Sequence, residues 1–184
     1  VADGHRAIAI EADLRESAAV RAAVERTVAE LGRLDILVNN AGVYPHSALL
    51  DLPDDEWDDV MAINLRGAFI ATREAARVMI AQGQGGRIVN IASVDAIAPE
   101  PRFSHDDASK GGLVALTRSL SLELGPHRIM IKAVGPGLID GPGLDRYVPR
   151  RKAAFLAHVP LGTIGRPEEI ADAVLFFASD LASW

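Results

Sequence analysis

The chain has 184 residues, 49% hydrophobic and 24% charged, with a formal net charge of −6 and a mean hydropathy of +0.15. This length suits a single domain, 1–184, with a real core, and the acidic balance offers no basic stripe to displace counterions from a nucleic acid. The lack of cysteine excludes disulfides, zinc–thiolate sites and a thiol nucleophile, and no apolar run reaches the roughly 18 residues of a membrane span.

The opening stretch, VADGHRAIAI, has neither the charged nor the long apolar region of a signal peptide, so a cytoplasmic location is the expected one. Arg6 to Ala12 alternates in a β-prone run, which predicts a first strand. A helix follows, with Asp13 as its expected N-cap and Glu16 in capping-box spacing; Val20, Val24, Val28 and Leu31 form its apolar stripe, and Gly32 stands where a C′ glycine belongs. LDILVNN is an unbroken apolar run bounded by polar residues, as in a strand buried on both faces. Pro53 to about Ile80 predicts one long amphipathic helix.

GQGGRIVNIAS predicts a turn and then a strand. DDASKGGLVALTRSLSLELG predicts a helix closed by Gly125, RIMIKAV another strand, and PEEIADAVLFFASD a last helix starting near Pro167. Strands alternating with helices define an α/β domain, a doubly wound parallel sheet covered on both faces, because parallel crossovers are right-handed. Ligands of such sheets sit at the carboxyl ends of the strands. The residues to examine are therefore Asp13, Asn39–Gly42, Ser93 and Pro136–Gly137.

Chemistry-bearing residues fall at those ends or on the helices beside them. In NNAG, Ala41 and Gly42 permit close backbone approach to a flat ligand. Asn64 lies mid-helix, a poor position for asparagine on propensity alone. Ser93 ends a strand. Lys110 lies in the first turn of a helix, where its cation opposes the macrodipole.

Taken in order, DILVNNAG, INLRGAF, GRIVNIAS, ASKGGL, AVGPGLI and GRPEEIADAVLFFASD resemble the short-chain dehydrogenases/reductases over nearly the whole chain, including the 3-oxoacyl-carrier-protein reductase and sugar or polyol dehydrogenase kinds. The resemblance implies a Rossmann-like fold, NAD or NADP as cofactor, and a small carbonyl or alcohol substrate. It implies that Asn39, Ala41 and Gly42 line the adenine-ribose side of the cofactor, with Asp13 and Leu14 bordering the adenine. Asn64 would hold a water of the proton relay, Ser93 would bond the substrate carbonyl, and Lys110 would bind the nicotinamide ribose. Pro136, Gly137 and Ile139 would touch the nicotinamide end. Helices 53–80 and 106–124 would pair copies into a homo-oligomer.

Departures from the pattern set the questions for the structure. The proton-donor tyrosine of the family, four residues before the lysine, is here Asp106. A carboxylate beside an ammonium is expected to be ionised at pH 7 and to have no proton to give, which predicts impaired carbonyl reduction. His105 is expected to be a loop or capping histidine, and no metal site is expected from His105, Asp106 and Asp107. Lys132 and Gly141 replace the family's usual asparagine and threonine. The Gly-rich strand–turn–helix of the family has no counterpart, since Gly83–Gly86 precede a strand instead of following one. The fold is therefore expected to be incomplete at both ends, tight cofactor binding by these residues alone is not expected, and a non-catalytic binding or dimerisation module is the alternative.

Overall fold

The structure of the protein is a computed structural model that describes residues 4–141, 156–157 and 159–183. Three strands, β1 (Ile36–Asn39), β2 (Gly86–Ile91) and β3 (Ile129–Val134), pair in parallel in the order β1-β2-β3. Leu37 aligns with Ile88 and Ile88 with Ile131, so these three apolar side chains share one face. Helices α1 (Ser17–Leu31), α3 (Ala68–Gln82) and α4 (Ser104–Leu124) gather on that face, where Met79, Ala75 and Leu124 enclose Ile88, Ile129 and Ile131. A last helix, α5 (Pro167–Ala178), packs on β2 and β3. Just beyond it, Asp180 takes the Arg87 guanidinium at 2.7 Å, and Arg87 alternates with Ile88 along β2, which places this end of the chain on the opposite face.

The doubly wound architecture is as the sequence predicts, but the segment Arg6–Ala12 is not a strand. A strand exists through its partners, and the described sheet hydrogen-bonds to β1 only through β2. The segment instead runs past α1, where the Arg6 guanidinium donates to the Glu30 carbonyl at 2.8 Å. One face of β1 stays open, leaving Ile36 45% and Val38 40% exposed.

The helix starts also differ from expectation. Asp13 does not cap α1: Glu16 is the N-cap, and the Asp13 carboxylate closes a short turn by accepting the Arg15 amide at 2.9 Å. Gly32 terminates α1 in the left-handed conformation, with its amide on the Val28 carbonyl, as its position predicts. Gly125 does not end α4 that way. The chain passes through a 3₁₀ turn (Gly125–His127), and Arg128 takes the left-handed conformation.

Asp54 to Gln82 is one helical rod with a defect. An α-helix, α2 (Asp54–Met61), passes into a π-helical segment (Ala62–Gly67) and resumes as α3. Periodicity could not reveal this, because the widened turn adds one residue without breaking the run of helix formers. The widening sets buried Asn64 against the start of α4.

Candidate active site

Asn64 is 2% exposed, and its amide is fully engaged. Its oxygen accepts the Val43 N–H at 2.8 Å, and its nitrogen donates to the Val43 carbonyl at 2.8 Å. The same nitrogen lies 3.0 Å from Asp106 Oδ1 and 3.1 Å from Ser109 Oγ. The side chain thereby ties the π segment to the loop after β1 and to the first turn of α4. That is the reason an asparagine survives mid-helix.

Lys110 follows Asp106 by one helical turn. Its ammonium donates to the Ile91 carbonyl, at the end of β2, at 3.0 Å. Burial pushes its pKa below the usual lysine value, while Asp106 and Asp95 pull it back. A Cβ placed on Gly42 would stand 3.3 Å from Asn64 Oδ1 and 3.5 Å from Lys110 Nζ. Gly42 is thus part of the same locus. Asn39 serves the scaffold: its amide donates to Asn90 Oδ1 at 2.8 Å and to Thr72 Oγ1 at 3.0 Å, beneath the strand ends.

Ser93 lies just past β2 and caps a 3₁₀ turn, Val94–Ala96. Its hydroxyl donates to Asp95 Oδ2 at 2.9 Å and accepts the Asp95 amide at 3.1 Å. Asp95, Asp106 and Asp107 each bring a carboxylate oxygen within 4.8 Å of the others. The two adjacent carboxylates therefore do converge, with Asp95 rather than with His105. His105 is no loop residue: it is fully buried in α4, with Nε2 3.3 Å from Glu56 Oε1 of α2.

The structure reverses the expected direction of the Asp106 pKa. Burial, with the side chain 5% exposed, is the largest influence and raises it; Lys110 lowers it, Asp95 raises it and the Asn64 bond lowers it, leaving it at about 6. The expected pairing with Lys110 is replaced by separate bonds, Asp106 to Asn64 and Lys110 to Ile91. Asp107 is likewise raised to about 6, by burial and then by Asp95 and Asp106. Sequence reasoning missed Asp95 and weighed Asp107 only as a neighbour of His105 and Asp106. Their only signals were an acidic residue two places after Ser93 and the doubled aspartate itself.

The remaining predicted positions spread around this centre. Pro136 accepts the Val94 amide at 2.9 Å, tying the segment after β3 to the Ser93 turn, and the backbone at Gly137 faces open space. Ile139 pairs with Gly165 in an isolated parallel bridge. Asp13 and Leu14 stand at the entrance of α1; the Asp13 carboxylate is held low by Arg15, and Leu14 packs on Val20, Ile70 and Ala71. Gly141 closes the first described stretch; the loop after it lies outside the described residues.

Gly42, Ser93, Asp106 and Lys110 lie beyond the carboxyl ends of a parallel sheet, where doubly wound α/β domains bind their ligands. The sequence profile described as enoyl-(acyl carrier protein) reductase matches residues 1–184. A 3-oxoacyl-[acyl-carrier-protein] reductase of Thermotoga maritima is 37% identical over 165 residues, covering 90% of this chain and 67% of its own. The uncharacterized oxidoreductase YohF of Escherichia coli is 39% identical, covering 100% of this chain and 73% of its own. Among solved structures, a short-chain type dehydrogenase/reductase from Mycobacterium marinum superposes with a TM-score of 0.93 at 35% identity, over 98% of this chain and 72% of that one. An acetoin dehydrogenase from Enterobacter cloacae gives 0.89 at 41% identity, over 100% of this chain and 72% of that one. The chain belongs to the short-chain dehydrogenase/reductase family. Its fold and its relatives are those of NAD(P)-dependent oxidoreductases, and no helix among the described residues is long and apolar enough to cross a membrane.

Proposed function

We propose that the protein is an NAD- or NADP-dependent oxidoreductase that interconverts a small carbonyl compound and its alcohol, with Asp106 in its acid form carrying the proton. The observation that supports this most is the convergence of Asn64, Asp106 and Lys110 beside Gly42, at the strand ends. The residues fit the nicotinamide–ribose end of the cofactor. Gly42 leaves room where a Cβ would crowd the Asn64 amide oxygen at 3.3 Å, and the Lys110 ammonium beside it is a natural donor to ribose hydroxyls. Among the described residues no Gly-rich turn leads from a strand into a helix, so the phosphates have no cradle here.

When bound, the cofactor supplies or accepts hydride. The chain orients the reactants and moves the proton. Asn64 holds the Asp106 carboxyl, and Lys110 keeps a positive charge near it. With a pKa of about 6, only about one carboxyl in ten keeps its proton at pH 7. This attenuates general acid catalysis roughly tenfold at that pH and is milder than outright loss of the donor, which typically costs about 10²–10⁴-fold.

The test is the pH dependence of carbonyl reduction with NADH and NADPH across a panel of ketones and aldehydes. The rate should be highest below pH 6 and fall about tenfold per unit above it. Asp106→Tyr should move that fall to alkaline pH. A wild-type rate that stays flat to pH 8 would show that another group is the acid.

The assembly implied by the family has its own support. An apolar groove of about 710 Å³ runs between α2, the π segment and α4, lined by Met61, Leu65, Phe69, Ala115 and Leu116. We propose that a second copy covers it. Light scattering of wild type and Leu116→Arg should show a dimer or larger species and a monomer, respectively.

A further inference from the structure

The side chains gathered at the strand ends offer acceptors at both positions from which a carbonyl substrate would need donors. Asp106 presents a carboxylate, and the Ser93 hydroxyl spends its hydrogen on Asp95 Oδ2 at 2.9 Å. Asp106 is 5% exposed, and Asp107 Oδ1 is buried without a hydrogen-bond partner. The charged groups acting on Asp106 are Asp95 from the 3₁₀ turn after β2 and Asp107 and Lys110 from α4; Asn64 of the π segment is neutral. Lys110 gives one of its three N–H donors to the Ile91 carbonyl at 3.0 Å. Three carboxylates thus stand against one ammonium. Such a site disfavours an alkoxide forming at a substrate oxygen and favours a substrate that arrives with positive charge.

We propose that this site also reduces protonated imines, cations with a carbon–nitrogen double bond, to amines, and that Asp106 and Asp95 are the anions that select them. The proposal rests on the hydride-transfer reading above. A hydride from the reduced nicotinamide forms the new C–H bond at the iminium carbon. The π pair of the C=N bond becomes the nitrogen lone pair, so the amine leaves neutral and no proton is transferred. The positive charge passes from the substrate nitrogen to the oxidised nicotinamide. Ionised Asp106 therefore faces a cation before and after the step. The ionisation that hinders carbonyl reduction is the form that this substrate needs.

The two substrate classes should respond to pH in opposite ways. With NADPH or NADH, N-methyl-1-pyrrolinium should be reduced faster at pH 8 than at pH 5, whereas cyclopentanone should be reduced more slowly. Binding is read without cofactor, by NMR titration of the full chain with N,N-dimethylpyrrolidinium, a cation that cannot titrate. Its affinity should rise as Asp106 ionises between pH 5 and 8, and should fall roughly tenfold or more in Asp106→Asn and in Asp95→Asn. Cyclopentanone, the neutral comparator, should show neither effect. Circular dichroism of both variants confirms that they remain folded. Carbonyl turnover without cation preference, or cation binding indifferent to Asp106→Asn, overturns the proposal alone. Cation binding with no consumption of reduced nicotinamide on either substrate overturns the hydride-transfer reading and the reduction step with it.

Discussion

Replacing Asp106 by asparagine should make the protein more stable at neutral pH, although it removes a group at the heart of the candidate site. Folding buries this carboxylate among other acids, and the net effect raises its pKa from 3.8 to about 6. The folded state therefore holds the proton more tightly than the unfolded chain. Stability from this group is fully present below about pH 4 and is lost as pH rises through about 6. Roughly two pKa units, at about 1.4 kcal/mol each, give a penalty of about 3 kcal/mol by pH 8. The substituted side chain carries no charge, and its amide oxygen can still accept from Asn64. The measurement is urea unfolding of both proteins at pH 4 and pH 8. The two should be nearly equal at pH 4, and the variant should lead by about 1–3 kcal/mol at pH 8. A variant that is less stable at pH 8, or a difference that ignores pH, would refute the account of burial against like charge.

Asn64→Ala should cost about 2–4 kcal/mol in the same assay, because it strands both backbone groups of Val43 and one side of Asp106; a cost under about 0.5 kcal/mol would mean that water replaces the amide. Glu74 is buried, which pushes its pKa up, but hydrogen bonds from Arg73 and Arg77 outweigh this and hold it below the usual value. The stability it confers is present above the unfolded-state pKa and is lost as pH falls through the lower folded one, so Glu74→Gln should lose about 1–3 kcal/mol at pH 7 and progressively less in acid, checked by thermal unfolding against pH. Gly85→Ala should destabilise by about 1–3 kcal/mol, because its φ is +78° and a Cβ would stand 2.5 Å from the Arg128 carbonyl oxygen; an unchanged unfolding midpoint would show that the turn can relax.

The three strands were legible because each carries a β-prone apolar run, in ILVN, GRIVNI and IMIKAV, but burial on both faces is met at the central strand β2 and not at β1, where Ile36 and Val38 stay exposed. The run Ala-Ile-Ala-Ile carries the same local preference and yet forms no strand, since pairing is a property of neighbours and not of the segment. Asn64 was marked by its helix propensity alone, but the reason for it, a π-helical turn, left no trace in the apolar spacing. Asp106 was singled out by its place four residues before Lys110, and only the direction of its pKa shift was misjudged: at about 6 the carboxyl is raised yet still mostly ionised at pH 7. The lysine four residues on is visible in the sequence; the depth of burial and the approach of Asp95 from another element are not. His105 likewise looked like a capping residue until α4 was found to begin at Ser104 and to press that ring against α2.

The single extra residue in the rod from Asp54 to Gln82 acts as an indexing tooth. Each residue of a helix is worth about 100° of rotation, so the π segment fixes the angular phase of everything before it relative to everything after it. Deleting one residue between Ala62 and Gly67 would give a more regular helix and turn Glu56 and Val60 by more than a quarter-circle away from where they now meet their neighbours, or else rotate Ala75 and Met79 out of contact with the sheet. Homologous sequences should therefore tolerate substitutions along this rod far better than length changes, and an alignment gap placed there marks a misalignment before it marks a variant of the fold.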